Sequence, residues 1–412
     1  MDALHQKATR QHTKGHNSRL VLRTIYDADE ISRADLARRT RLTRTTVSDV
    51  VGDLIEQGLV EEVGLGSNGI GRTPTLLSIA EDARHIAAVD ITNTEIHCAL
   101  VNLRGIVRRQ ITQDIAGQDG NMVLAQLCQS LDQLVRSAGM PLLGIGVSTP
   151  GLIDAASGSV RRAVSFGWKD LPLRDILHAR YNLPIYVAND SHMVALAEYM
   201  FGQHQHSSEL VVIKVGHGIG AGVVRNGQLL HGDMPGAGEI GHVVVVEDGP
   251  PCTCGNAGCL ESVASTPAIV RQAQAAMHDH AESLLHRFAG TPEAVTLETV
   301  LQAFLADDPT TRQIIVDAGR YLSIAVANLI AILGIQRVVI TGKIAPFGQI
   351  LEDAIREQVG QRVLPDLAQA TDIEVLSQRS DTVLLGAAAL LLTNELGLAR
   401  LLTRPPREQV LR

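Results

Sequence analysis

Four side chains between residues 242 and 259 could hold a metal ion: His242, Cys252, Cys254 and Cys259. One imidazole and three thiolates fill a tetrahedral zinc shell and leave no position open for water. Such an ion is structural, one per chain, and zinc hydrolysis is disfavoured. The competing reading is a reduced loop with unliganded cysteines. The other two cysteines, Cys98 and Cys128, stand apart. No basic stretch followed by an apolar run opens the chain, so a cytoplasmic location is expected and disulfides are not.

Charge divides the chain unevenly. Residues 1–79 carry 11 Lys/Arg against 10 Asp/Glu, and residues 7–44 alone carry 10 against 4. The whole chain is at -8. A basic head on an acidic body fits a nucleic-acid reader joined to a separate acidic domain; the bland reading is a solvated basic face.

The elements needed to position such a reader are legible. Residues 1–17 read as a polar, frayed lead, and a first helix is expected over Ser18–Tyr26. Ser32 is a candidate N-cap with Asp35 at the third helical position. Thr43 caps the next helix, where Val47, Val50, Val51, Leu54 and Ile55 recur at helical spacing, and Gly58 ends it. Leu59–Val63, a turn-rich stretch over Gly64–Gly71, and Thr75–Ile79 read as strand, loop, strand. That order is a winged helix-turn-helix. Arg44, Thr45, Thr46 and Ser48 lie at the start of the capped helix, where Arg and hydroxyl side chains suit the major groove. Arg72 in the wing could reach a phosphate or the minor groove. A three-helix module that binds protein is the alternative.

Beyond residue 84 strands and helices alternate. Strands are expected at Ile86–Ile91, Ile96–Val101, Ile106–Ile111, Leu143–Val147, Ile185–Ala188, Leu210–Val215, Gly220–Val224, Val243–Val246 and Arg337–Ile340. Helices are expected near Met122–Ser137 and Ser191–Gly202. This is an α/β pattern with partly parallel sheets. The uncharged run Thr382–Thr393 is too short to span a bilayer and reads as a buried helix, so no membrane partner is expected.

These residues resemble the ROK family of repressors and sugar kinases over nearly the whole chain. Gly216-His-Gly-Ile-Gly-Ala-Gly222 is similar to its second phosphate loop. Glu239-Ile-Gly-His242 is similar to its sugar-binding motif, and the cysteine cluster ending Cys259-Leu-Glu261 to its zinc motif. Ser148-Thr-Pro-Gly151 and Asn189-Asp190 match its Pro-Gly turn and Asn-Asp pair. The resemblance implies an α/β fold: an N-terminal winged helix-turn-helix (1–80), then a two-lobed, actin-like (ribonuclease-H-like) sugar-kinase-type domain. The first lobe would span 81–190, completed by 381–400, and the second 191–380, with the zinc site and an oligomerisation surface. A sugar would lie between the lobes, held by Gly151, Asn189, Asp190, Glu239, His242 and Glu261. His242 would use one ring nitrogen for zinc and the other for the sugar.

The resemblance also implies a choice. In family kinases Asp190 would be the general base. Their first phosphate loop reads Asp-x-Gly-Gly-Thr, whereas this chain has Asp90-Ile91-Thr92-Asn93-Thr94, without either glycine. Phosphate cradling by backbone N–H groups is thereby hindered, and Asp190 becomes a vestigial base. The expected role is a DNA-binding transcriptional repressor of carbohydrate genes, acting as a homodimer or homotetramer on double-stranded operator DNA with a sugar or sugar derivative as effector. The alternatives are an active ATP-dependent sugar kinase with an accessory DNA domain, and an activator rather than a repressor. Trp168, in Phe166-Gly-Trp168, either stacks on the sugar or fills the core.

Overall fold

The computed structural model describes residues 10–65, 74–205 and 207–398. They form two compact units: residues through Asp190 together with those from Val383, and Ser191–Thr382.

The first unit opens with helix α1 (Arg10–Ala28), followed by β1 (Ile31–Ser32), α2 (Arg33–Thr40), α3 (Arg44–Glu56), β2 (Val60–Leu65) and β3 (Thr75–Ile79). α1 begins well before the expected Ser18, so a helix forms where polar residues suggested a frayed lead. Its apolar residues Val21, Leu22 and Ile25 are buried, and this packing outweighs the poor amphipathic pattern upstream. Ser32 Oγ accepts the Asp35 amide, and Thr43 Oγ1 accepts the Thr46 amide, so both expected N-caps form. Val47, Val50, Val51 and Leu54 are buried on one face of α3, and Gly58 follows the helix at φ +70°. β1 pairs with β3, adding a third strand that its two residues are too few to announce.

The same unit continues with β4 (His85–Ile91), β5 (Glu95–Asn102), β6 (Val107–Asp114), α4 (Gly120–Arg136), β7 (Leu142–Ser148), β8 (Leu152–Asp154), β9 (Ser159–Ala163), β10 (Trp168–Leu171), α5 (Leu173–Tyr181) and β11 (Ile185–Ala188). The main sheet has the order β11-β7-β4-β5-β6, with β4–β5–β6 antiparallel and β7 and β11 parallel. Val123, Leu127, Leu131 and Leu134 of α4 bury against it. The helix Thr382–Leu396 also belongs here; Leu391 lies where Cβ atoms on Gly144 and Gly146 would stand. β8, β9 and β10 make a small separate antiparallel sheet that the sequence reading missed.

The second unit holds α6 (Asp190–Phe201, entered from the first unit), β12 (Glu209–Val215), β13 (Ile219–Arg225), β14 (Gln228–Leu229), α7 (Leu260–Ala264), α8 (Thr266–Asp279), α9 (Leu285–Phe288), α10 (Leu297–Leu305), α11 (Pro309–Leu333), β15 (Arg337–Gly342), α12 (Gly348–Gly360), α13 (Pro365–Ala370) and β16 (Asp372–Val375). Its sheet, β14-β13-β12-β15-β16, repeats the topology of the first: three antiparallel strands extended by two parallel ones. α11 is long and apolar enough to cross a bilayer, yet Ile315, Leu322, Val326 and Ile330 bury it in this unit's core. The expected strand Val243–Val246 does not form. Val245 and Val246 donate instead to the Gly258 carbonyl of the cysteine loop, and Val244 makes a single bridge to Cys259. A β-branched run mimics a strand when its partner is a loop.

Candidate functional site

At the reading end, α3 presents Arg44, Thr45 and Ser48 to solvent, opposite its buried stripe. Thr46 is engaged at the cap, its hydroxyl 2.8 Å from Thr43 Oγ1. Arg72 lies outside the described residues.

In the first unit's main sheet, β7 and β11 run parallel as neighbours, with Ser148 opposite Ala188 and the Thr149 amide donating to the Ala188 carbonyl. Gly151 and the Asn189-Asp190 pair therefore emerge together beyond the carboxyl ends of adjacent strands, as does Asp90 at the end of β4. That edge is where open α/β sheets build ligand sites. Gly151 sits at φ +101°, and a Cβ there would meet the Arg162 carbonyl oxygen at 2.2 Å. Its glycine is thus required by the packing of β9, independently of any ligand. Ser148 Oγ, fully buried at the same edge, has no hydrogen-bond partner among the described residues.

The turn after β4 is closed on itself. Thr92 N–H donates to the Glu95 carbonyl at 2.8 Å, and Thr92 Oγ1 accepts the amides of Thr94 at 3.3 Å and Glu95 at 2.9 Å.

In the second unit, Gly216-His217-Gly218 forms the turn of the β12–β13 hairpin, while Gly220 and Gly222 lie inside β13. A Cβ at 220 would stand 2.3 Å from Ser191 Oγ, and one at 222 would stand 2.4 Å from Ala195 Cβ. These two glycines let α6 approach the sheet closely. Glu261 Oε2 accepts the Ile219 amide at 3.1 Å, tying α7 to the hairpin. Glu239 precedes a short 3-10 turn, Ile240–His242, and its Oε2 lies 3.9 Å from His242 Nε2.

The other ring nitrogen of His242 faces the cysteines. His242 Nδ1 is 3.6 Å from Cys252 Sγ, and Cys254 Sγ is 3.7 Å from Cys259 Sγ. All four ligand atoms lie within 4.8 Å of one another. Ligands about 2.3 Å from a tetrahedral ion stand roughly 3.8 Å apart, so the cluster has the dimensions of a closed site. These residues could hold a metal ion as they stand. The Cys252 amide donates to the Asn256 carbonyl and folds the loop back on itself.

Trp168 is buried, its indole N–H donating to the Gly120 carbonyl at 2.9 Å and its ring tilted against Phe166. Of its two readings, the core one matches this placement. His192 was not singled out by sequence; its Nε2 contacts the Ala237 carbonyl at 3.0 Å and its ring meets His231 edge-on.

Fold and sites together define a winged-helix reader fused to an actin-like, sugar-kinase-type domain. The ROK family model matches residues 86–394, and a MarR family model matches residues 17–67. The chain belongs to the ROK family. It is 32% identical over 384 residues to the xylose repressor of Caldicellulosiruptor bescii, covering 92% of this chain and 96% of that one. It is also 32% identical over 317 residues to the glucokinase of Halalkalibacterium halodurans, which covers 76% of this chain and 96% of the kinase. The crystal structure of a ROK family transcriptional regulator, a homolog of the Escherichia coli MLC protein, superposes with a TM-score of 0.83 at 29% identity, over 94% of this chain and 98% of that one. The kinase match covers a smaller share of this chain than the other two.

Proposed function

We propose that this protein is a DNA-binding transcriptional repressor of carbohydrate genes, and that a sugar or sugar derivative modulates its grip on the operator. One observation carries the reading: the exposed Arg44, Thr45 and Ser48 surface of a buried-stripe helix, in a chain that is 32% identical to a xylose repressor over 92% of its length. Arg44 would take a guanine edge, Thr45 and Ser48 would take bases or phosphates, and Arg72 would follow the wing. Thr46, whose hydroxyl pairs with the Thr43 cap, would add a further contact to the DNA. Double-stranded operator DNA and a second copy of the chain are the partners, since paired half-sites need paired readers.

The residues proposed to hold the sugar are Gly151, Asn189, Asp190, Glu239, His242 and Glu261. Amide and carboxylate groups suit a ring of hydroxyls that both donate and accept. Zinc, one ion per chain, occupies His242, Cys252, Cys254 and Cys259 as a structural group. When bound it fixes the cysteine loop and orients the His242 ring, whose Nε2 then lies on the Glu239 side. The domains run 1–80, 81–190 with the C-terminal helix, and 191–380.

Phosphoryl transfer is not the role of this chain. The Thr94 and Glu95 amides are occupied by the Thr92 hydroxyl and so are not offered to a phosphate. Asp190 then occupies a base position without a reaction to serve. The kinase reading is favoured by one specific observation, the glucokinase match. The experiment is a gel-shift on operator DNA selected from a random pool, run with a panel of pentoses, hexoses, amino sugars and their phosphates, beside an ADP-release assay on the same panel. Sugar-dependent loss of the shifted band without ADP release supports a receptor. ADP release abolished by Asp190→Asn supports the kinase.

A further inference from the structure

The joint between the head and the rest of the first unit is built as a polar clamp. Arg104 sits in the β5–β6 turn, and its Nη1 donates to the Tyr26 carbonyl in the last turn of α1 at 2.8 Å. The same nitrogen lies 3.1 Å from Asp29 Oδ1, and the guanidinium stands 4.6 Å from the centre of the Tyr26 ring. Arg84, at the entry to β4, donates through Nη2 to the carbonyl of Gln57, the C-cap of α3, at 3.1 Å. Two cations thus meet the carbonyl ends of two head helices, where the helix dipole favours positive charge.

Neither arginine is presented by a loose loop. The buried Asn102 side chain accepts the Arg104 amide at 3.0 Å and the Ile106 amide at 2.9 Å, fixing the turn that carries Arg104. Asn102 Nδ2 donates to Asp82 at 3.3 Å, and Arg108 Nε donates to the same carboxylate at 2.8 Å. Asp82 lies in the segment between β3 and β4, so the covalent link between head and body is pinned rather than slack. A third contact comes from α1, whose Arg19 stem passes 3.0 Å from the Cβ position of Gly397.

We propose that Arg84 and Arg104 are positioning residues for operator reading: they lock the recognition helix α3 and the rest of the first unit into one body, so the spacing between two readers is set by the bodies that carry them. The alternative is a head on a flexible tether, which would adapt to any half-site spacing. A locked head transmits a displacement of the first unit directly to α3, and a tethered head absorbs it.

This rests on the operator-reading role proposed above, and the test separates the two. Full-length wild type, R84A/R104A and R84K/R104K are compared by hydrogen exchange and by binding to a single half-site duplex and to the full operator. The clamp predicts faster exchange of amides at the ends of α1 and α3 in R84A/R104A, with the β4–β5 amides unchanged. It further predicts half-site affinity within about twofold of wild type and full-site affinity reduced about tenfold or more. The lysine pair, which retains a donor for each carbonyl, should recover part of that loss. An equal loss on both duplexes would mean a merely structural role and overturn the proposal, as would unchanged exchange at the α1 and α3 ends. Failure of wild type to bind either duplex would instead overturn the operator-reading role, with the exchange data still deciding whether the clamp exists.

Discussion

Thr92 Oγ1 accepts the Glu95 amide at 2.9 Å and donates back to the Glu95 carbonyl at 3.0 Å. This mutual pair closes the turn after β4, which the function proposed above takes as unable to receive a nucleotide's phosphates. Removing the hydroxyl by Thr92→Ala should cost about 1–2 kcal/mol in urea unfolding. Calorimetry with magnesium-ATP should give no measurable heat for the wild type. Micromolar ATP affinity would show that the turn opens to admit a nucleotide.

Arg44 is exposed on the first turn of α3. Arg44→Ala should weaken operator binding by about 1–3 kcal/mol, the range for a bidentate base contact, and relax preference at one base position. Thermal stability should not change. Anisotropy titrations on operator variants would read both effects, and a uniform loss over all sequences would reassign Arg44 to a phosphate.

The cysteine cluster should make folding depend on metal. Native mass spectrometry should find one zinc per chain, and Cys254→Ser should lose it. Chelation should lower the melting temperature, because binding free energy at a closed site is folding free energy. A metal-free chain melting at the holo temperature would contradict this.

Hydrogen bonding from Arg108 holds the Asp82 carboxyl below its ordinary range, against the opposing pull of burial. The folded pKa lies below the unfolded one, so this contribution is complete above about pH 4 and fades as pH falls through the folded value. With Asp82 side-chain exposure at 46%, the effect is small. Asp82→Asn should flatten the acid limb of a urea-midpoint curve below about pH 4 while leaving the shape of the curve near neutrality unaltered. An identical acid limb would remove Asp82 from the joint.

Much of this architecture was legible because it rests on local rules. The caps at Ser32 and Thr43, the stripe from Val47 to Leu54, and the alternating strands each depend on near neighbours in sequence. The metal cluster was legible because thiol spacing is specific. What sequence could not reveal depends on distant partners: the pairing of β1 with β3, the small β8–β10 sheet, the docking of Val243–Val246 on a loop, and the meeting of Arg104 with Tyr26. Trp168 was ambiguous for the same reason, since its partner, the Gly120 carbonyl, lies far away in the chain. Gly220 and Gly222 resemble part of a phosphate loop; the structure adds a packing reason for glycine there, the approach of Ser191 and Ala195 of α6, which lies outside their local sequence.

On the function proposed above, a sugar held by this chain changes its grip on DNA. The most direct measurement is the operator dissociation constant with and without each sugar of the panel, for the wild type and for Glu239→Gln. At least one sugar should shift the wild-type constant about tenfold or more, and the variant should bind the operator normally but respond weakly. Wild-type operator affinity unmoved by every sugar and sugar phosphate would contradict it.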